Sequence, residues 1–359
     1  MELNLNKYGL ESLGFDEWFR DVSSDYIHSD FSLARIIEVN KGSYRVADGK
    51  YDMLAELSGK VLYAAESSTD LPTVGDWVVI QALDENSLAI IHDILPRKTL
   101  LKRKEPGRKV DFQLIASNID YGLIIQSADS LNINSLERYL VMLNESDIEP
   151  ILVFSKIDLL SSSQINELRN QVEKLNNRYV LISNIADRGI ETLSNELEPQ
   201  KTYCLLGASG SGKTSLLNRL LGKDLLRVNE VRAKDGKGRH TTVRRQLICL
   251  ESGSIFIDTP GMRELGNFEI ASGIEQTFNA ISSYGNHCRF QDCTHIHEEG
   301  CAVLEAVEQG KIDIKRYQNF IKLNKESEFY EMSYSEKRKK DKAFGKMVKN
   351  YKKMKRRNN

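Results

Sequence analysis

Gly207-Ala208-Ser209-Gly210-Ser211-Gly212-Lys213-Thr214 satisfies G-x-x-x-x-G-K-[ST] without a mismatch. An apolar run, TYCLL, precedes it and an amphipathic run, SLLNRLL, follows. A strand that passes through glycines into a helix turns several backbone N–H groups toward one point at the helix's positive end, which is a cradle for phosphate. Lys213 is placed to reach β- and γ-phosphates, the Thr214 hydroxyl to bind magnesium, and Ser215 to extend the nucleotide contact. The bland alternative is a glycine-rich turn that binds nothing, and the full pattern in its required context argues against it.

Asp258-Thr259-Pro260-Gly261 closes the run SIFID. A carboxylate at a strand's carboxyl end suits magnesium, directly or through water, and the Gly261 N–H can then meet a γ-phosphate. Alone, Asp-x-Pro-Gly is also ordinary turn chemistry; downstream of a phosphate loop the magnesium reading prevails. Between the two lies KDGKGRHTT, polar and glycine-rich, a segment able to order around nucleotide. Thr241 or Thr242 is expected to complete the magnesium coordination, and the sequence does not choose between them. Met262 follows Gly261; a thioether cannot orient an attacking water, so hydrolysis needs another group.

Ser155-Lys156-Ile157-Asp158 follows the run PILVF and stands one substitution from Asn-Lys-x-Asp. A carboxylate at Asp158 can accept from the ring N1–H and the exocyclic amine of guanine. Adenine offers neither in that arrangement and would leave the acid unpaired. Lys156 can lay its stem along the base, whereas the Ser155 hydroxyl should bridge fewer groups than an amide. Ser183-Asn184, after YVLI, occupies the place of a short loop whose backbone N–H caps the guanine carbonyl. These base readers precede the phosphate loop, the reverse of the usual GTPase order. Binding loops sit at the carboxyl ends of strands, and chain termini often lie close together, so a circular permutation can leave such a site intact.

Cys288, Cys293, His295 and Cys301 form Cys-x4-Cys-x-His-x5-Cys. Three thiolates and an imidazole suit one closed, tetrahedral, structural zinc site. A polar segment this small would draw its stability from the metal. His287 and His297 stand near enough to compete as ligands. Cys204 and Cys249, in apolar runs, read as core residues.

Elements must hold these groups in place. From Phe31 to about Pro96, ARIIEVN, SYRVAD, MLAEL, WVVIQAL and LAIIHDI alternate with turn residues, which predicts a small antiparallel, OB-like β-barrel. The residues before it, containing FDEWF, resist assignment, and 97–111 reads as a basic linker. Then YGLIIQ, PILVF, YVLI, TYCLL, QLICL and SIFID alternate with segments of helical period, such as Ile165, Leu168, Val172 and Leu175. That pattern predicts a parallel α/β sheet with both faces covered. The expected division is an N-terminal extension 1–30, barrel and linker 31–110, permuted nucleotide-binding domain 111–270, helical zinc-binding domain 271–335 and basic tail 336–359.

The chain has 359 residues, 40% hydrophobic and 28% charged, with a net charge of −1. Its neutrality hides a block of lysine and arginine from Lys337 to the end, opposed by Asp341 alone. Such a block is too self-repelling for a core and suits RNA, as do the barrel and Arg97, Lys98, Lys102, Arg103 and Lys104. No apolar run approaches the roughly 18 residues of a membrane span, and the start lacks a secretory pattern. Five cysteines, an odd number, argue against a disulfide framework. A cytoplasmic monomer without membrane contact is expected.

The permuted order, Gly238-Arg239-His240-Thr241-Thr242, the barrel and the cysteine cluster together resemble the ribosome small-subunit-dependent GTPase A (RsgA) family, over about residues 31–350. The departures are Ser155 for asparagine and Asn184 where alanine is usual. The resemblance implies a GTP hydrolase acting in late maturation of the small ribosomal subunit, stimulated by that subunit and bound to its rRNA. It also implies that His240 positions or activates water. Two other readings compete: an RNA-binding scaffold with a degenerate nucleotide site, which Ser155 alone favours, and an ATP-using P-loop enzyme, which Asp158 disfavours.

Overall fold

The computed structural model describes residues 9–26, 30–40, 43–104, 112–222, 245–258 and 271–331. Helix α1 (Glu17–Ser23) comes first, and the five alternating runs then become β1 (Ser32–Asn40), β2 (Ser43–Ala47), β3 (Asp52–Leu57), β4 (Trp77–Leu83) and β5 (Leu88–Ile94), with α2 (Gly59–Ala64) between β3 and β4. Their order is β1-β2-β3-β5-β4, and β4 returns to pair with β1, which closes the barrel. Alternate residues point inward: Ala34 and Ile36, Val46, Met53 and Ala55, Val78 and Ile80, Ala89 and Ile91 make its core. Closure leaves these strands no free edge.

The basic segment is not simply a linker. Strand β6 (Leu100–Lys104) pairs antiparallel with β7 (Phe112–Ser117). Leu101 is buried ahead of the basic run Lys102-Arg103-Lys104, and Lys102 lies 4.4 Å from the Phe112 ring centroid; the density of charge masks a strand.

Six strands build the second sheet: β8 (Tyr121–Ser127), β9 (Glu149–Ser155), β10 (Arg178–Leu181), β11 (Thr202–Leu206), β12 (Arg245–Cys249) and β13 (Ile255–Asp258). Between them run α3 (Ile133–Glu145), α4 (Ser162–Glu173), α5 (Ile190–Glu196) and α6 (Lys213–Leu221). The order is β10-β9-β8-β11-β13-β12, parallel except at the last pair. Here the expectation of an all-parallel sheet fails. Gly253, at φ +88, turns the chain back within the stretch where Leu250 N–H bonds Ser254 O at 2.8 Å, and so tight a return permits only antiparallel pairing. Strand β12 also pairs with β1, through Glu38↔Gln246, so the sheet runs on into the barrel.

Strand alternation splits the core in two. Leu123 and Ile125 of β8 pack with Val153, Leu193 and Leu216 on the α5/α6 face, whereas Ile124 packs with Leu152, Leu140 and Leu168 on the α3/α4 face. The strand order reverses between β8 and β11, and in open α/β sheets such a reversal opens a crevice at the carboxyl ends.

The aromatic stretch near the N-terminus also finds its place. Phe15 meets Trp77 edge-on at 4.9 Å, and Phe19 lies 5.8 Å from the same ring. Beneath them Arg35 is fully buried and donates to the carbonyls of Leu13, Gly75 and Asn118 and to the Thr202 hydroxyl.

Past the sheet lie α7 (Ala271–Thr277), α8 (Asn279–Gly285), α9 (Ala302–Glu308) and α10 (Ile314–Glu331). Helix α7 rests on α3 so closely that a Cβ at Gly273 would stand 2.1 Å from Val141 O. Among the described residues no helix is long and apolar enough to cross a membrane. The basic tail lies outside the described residues.

Candidate nucleotide site and metal centre

The phosphate loop leaves β11 at the reversal. Gly207, Gly210 and Gly212 have φ of +141, +79 and +93, conformations that a side chain disfavours. Gly207 has a second constraint, since a Cβ there would stand 2.1 Å from Ile125 O on β8. Gly212 is the N-cap of α6, so the first N–H groups of that helix face the loop. Lys213 Nζ donates to Gly207 O at 2.6 Å and Ala208 O at 2.7 Å, which places the ammonium inside the loop's curve. Tyr139, buried on α3, hydrogen-bonds the Gly207 backbone, and burial pushes its hydroxyl up to about 12, which keeps it protonated.

Asp258 ends β13, beside β11. Burial raises its pKa and the Lys213 charge opposes the rise. With Thr214 at the start of α6 it offers the oxygen donors that magnesium prefers. His240, Thr241, Thr242 and Gly261 lie outside the described residues.

The base readers leave the neighbouring strands. Lys156 takes the left-handed conformation, φ +59 and ψ +35, which turns the chain sharply at the end of β9. Asp158 is exposed there, and the buried Ser183 hydroxyl donates to its carboxylate. Ser183 Oγ in turn accepts from Ala186 N–H at 3.0 Å. Ser155, fully buried, brings its hydroxyl to 2.7 Å from Ser211 O and 3.3 Å from Gln126 O. The serine therefore does bridge to the phosphate loop. Asn184 stands against Gly212 from the other base-reading loop. The structure thus brings together 155–158, 183–184 and 207–215 around one crevice despite their order in the chain.

Neighbours that no motif announced complete the crevice. Ser127, in register with Ser155, donates to Asp129. That bond first, and Lys156 with it, hold Asp129 below the usual carboxylate range. These residues and Tyr139 follow from strand pairing and helix packing, which leave no local pattern.

At the cysteine cluster one ligand atom each from Cys288, Cys293, His295 and Cys301 lies within 4.8 Å of the others.

 Cys288 Sγ and Cys301 Sγ stand 3.5 and 3.4 Å from His295 Nδ1 and 3.8 Å from each other. Burial lowers the His295 pKa, which favours the neutral imidazole that ligates. Burial, with the Cys301 and Cys288 thiols beside it, pushes Cys293 up to about 12. The donor set fits a closed metal site. Glu298 shapes the loop by accepting from the N–H groups of Thr294, Ile296 and His297 at 3.0, 2.9 and 3.1 Å. The Tyr317 hydroxyl ties the His295 carbonyl to α10 at 2.7 Å. His287 and His297 do not join the cluster; His287 Nδ1 meets Ser283 O at 3.0 Å instead.

The basic residues proposed as RNA contacts divide. Arg97 is engaged inside the fold, 2.7 and 2.8 Å from the Asp76 carboxylate, with further bonds to the carbonyls of Thr69 and Leu71. Lys98 pairs with Asp16 and lies 4.8 Å from the Phe19 ring centroid. Neither is a free surface cation, because each neutralises an acid that the fold partly or fully covers.

A barrel joined to a permuted P-loop sheet and followed by a Cys/His helical segment defines a class of GTPase. Residues 94–268 match the family model described as RsgA GTPase. The chain is 39% identical to small ribosomal subunit biogenesis GTPase RsgA 1 of Bacteroides thetaiotaomicron, over 98% of each chain. It is 37% identical to an RsgA 2 of Listeria monocytogenes, over 89% of this chain and 90% of that one. The solved structure of YjeQ from Thermotoga maritima matches with a TM-score of 0.63 at 26% identity, covering 83% of this chain and 98% of that one. The structure of YloQ, described as a circularly permuted GTPase, shares the fold with a TM-score of 0.61. The chain belongs to the RsgA GTPase family.

Proposed function

We propose that the chain hydrolyses GTP in the crevice between β8 and β11 and acts as an assembly factor on the small ribosomal subunit. The observation that carries the nucleotide reading is the meeting of Asp158, Ser183 and the phosphate loop, with Ser155 Oγ 2.7 Å from Ser211 O. In this reading Asp158 accepts from guanine, Lys156 covers the base, and Ser183 with Asn184 lines the base loop. Gly207 to Ser215 cradle the phosphates, with Lys213 as their cation. Thr214, Asp258 and Thr241 or Thr242 hold magnesium, which supplies charge neutralisation during phosphoryl transfer. Gly261 approaches the γ-phosphate and His240 positions or activates water.

The ribosomal half of the proposal is supported by the relatives, whose names describe small-subunit biogenesis. The subunit and its rRNA are then the macromolecular partners, in the cytoplasm, with the chain acting as a monomer. Zinc at Cys288, Cys293, His295 and Cys301 would fix the helical segment as a docking surface. The division into extension, barrel, nucleotide-binding domain, zinc segment and basic tail is part of the same proposal. Ser155 no longer favours a degenerate site, because its hydroxyl bonds the phosphate loop.

Turnover of GTP and ATP, each with and without purified small subunits, tests the whole. GTP-specific turnover that rises with subunits is the expected result. Equal use of ATP would remove the guanine assignment, and indifference to subunits the ribosomal one.

A further inference from the structure

Positions 155 and 184, the two departures from the resemblance, sit against the same glycine. A Cβ at Gly212 would find Asn184 Nδ2 at 3.3 Å, Ser155 Oγ at 3.7 Å and Ser155 Cβ at 3.8 Å. Gly212 is the last residue before Lys213, so its position sets where that ammonium stands. Ser155 has no exposed surface, and the carbonyls of Ser211 and Gln126 already flank its hydroxyl. An asparagine there would carry two more heavy atoms into a space that the Asn184 amide borders. The Asn184 Oδ1 atom is itself buried, without a hydrogen-bond partner among the described residues. Among the described residues no hydrogen bond holds that oxygen, and the amide nitrogen borders Gly212.

We propose that Ser155 and Asn184 form a split clamp on the phosphate loop. The hydroxyl at 155 bonds the Ser211 carbonyl, and the amide at 184 fills the space that a larger side chain at 155 would take. Together they fix Gly212, and through it Lys213, against the base-reading loops. Both are positioning residues, and the proposal rests on the guanine-nucleotide reading of the site. The two side chains are matched in size across one contact, so exchanging both conserves volume, whereas changing either alone overpacks the contact or leaves it hollow.

A double-mutant cycle tests the match. GDP and GTP dissociation constants are measured by calorimetry for the wild type, Ser155→Asn, Asn184→Ala and the double variant, with kcat at saturating GTP and the thermal midpoint of each. Each single variant should weaken nucleotide binding by roughly tenfold, while the double variant returns to within about threefold of the wild type, since residues in contact depart from additivity. Because the clamp positions Lys213, kcat should fall in each single variant and recover together with binding in the double variant. If Ser155→Asn alone does not fold, recovery of folded, GDP-binding protein in the double variant is the same positive result. Additive losses, or a double variant that also fails to fold, would overturn the clamp while leaving the guanine reading in place. Failure of the wild type to bind guanine nucleotide would overturn both.

Discussion

The Ser183 hydroxyl donates to the carboxylate of Asp158, which joins loops leaving two adjacent strands, β9 and β10. The acid is therefore held in place before any base arrives. Asp158→Asn should weaken GTP binding by about 10- to 100-fold, the loss of charge-assisted hydrogen bonds worth about 1.5–3 kcal/mol. The same variant should gain affinity for xanthosine triphosphate, whose C2 carbonyl can accept from the new amide. Competition binding with the three purine triphosphates measures this, and unchanged preference for guanine would remove Asp158 from base recognition.

Lys213 curls onto the carbonyls of its own loop, at 2.6 and 2.7 Å. Lys213→Ala removes a phosphate partner without opening the core, so the thermal midpoint should move little. Turnover should fall by about 10²–10³, the scale of losing one preorganised charge partner. A variant that keeps wild-type turnover would contradict the phosphate assignment.

His240→Ala should bind GTP normally and lose most of the turnover that small subunits stimulate. Stopped-time phosphate release with and without subunits distinguishes this from a binding defect. Stimulated turnover that survives the substitution would exclude His240 from the chemistry.

Glu137, on α3, is fully buried and accepts from Asn319 Nδ2 at 2.6 Å. Arg316 Nε lies 3.2 Å from its other oxygen but out of alignment for a hydrogen bond. Burial raises the Glu137 pKa, and Asn319 and Arg316 oppose the rise. A carboxyl whose folded pKa exceeds its unfolded value lets the native state hold the extra proton, so its ionisation costs stability as pH rises through the folded value. Arg316→Ala should cost about 3–5 kcal/mol near pH 8 by leaving a buried charge unpaired. The deficit should shrink as pH falls and Glu137 takes up its proton, and Glu137→Gln should restore much of it. Urea unfolding across that pH range is the measurement, and a deficit that does not vary with pH would contradict the account.

A strong chelator should loosen residues 288–301, read as faster thiol labelling of Cys288, Cys293 and Cys301. GTP binding at the sheet should persist, because none of the loop residues there belongs to the cluster. Metal analysis before and after treatment identifies the ion and ties the labelling to its loss. Labelling rates that chelation leaves unchanged would argue against a structural metal.

Much of this was legible because the chemistry needs local patterns. The phosphate loop, the Asp158 motif and the cysteine spacing each pack their constraint into a few consecutive residues. The barrel strands were legible from period-2 alternation, since one face of each must be apolar. Other features depended on partners far along the chain. Strand β6 hides in positive charge, and only the burial of Leu101 gives it away. The antiparallel turn of β12 depends on Gly253, not on anything in QLICL. The aromatic stretch of α1 made sense only once Trp77 was found opposite Phe15 and Phe19. Arg97 read as a surface cation until Asp76 appeared beneath it.

Among the described residues Arg35 has no carboxylate hydrogen-bond partner; its acceptors come from the N-terminal segment, the barrel and the nucleotide-binding sheet at once. Swinging the barrel away would strip a cation of that solvation inside the protein, a penalty of several kcal/mol. The registered strands β1 and β12 resist the same displacement. Barrel and sheet therefore turn as a single piece, a handle welded to its blade. A surface that grips the barrel also fixes the crevice in space, and any rearrangement between nucleotide states must be sought in the loops and the helical segment beyond.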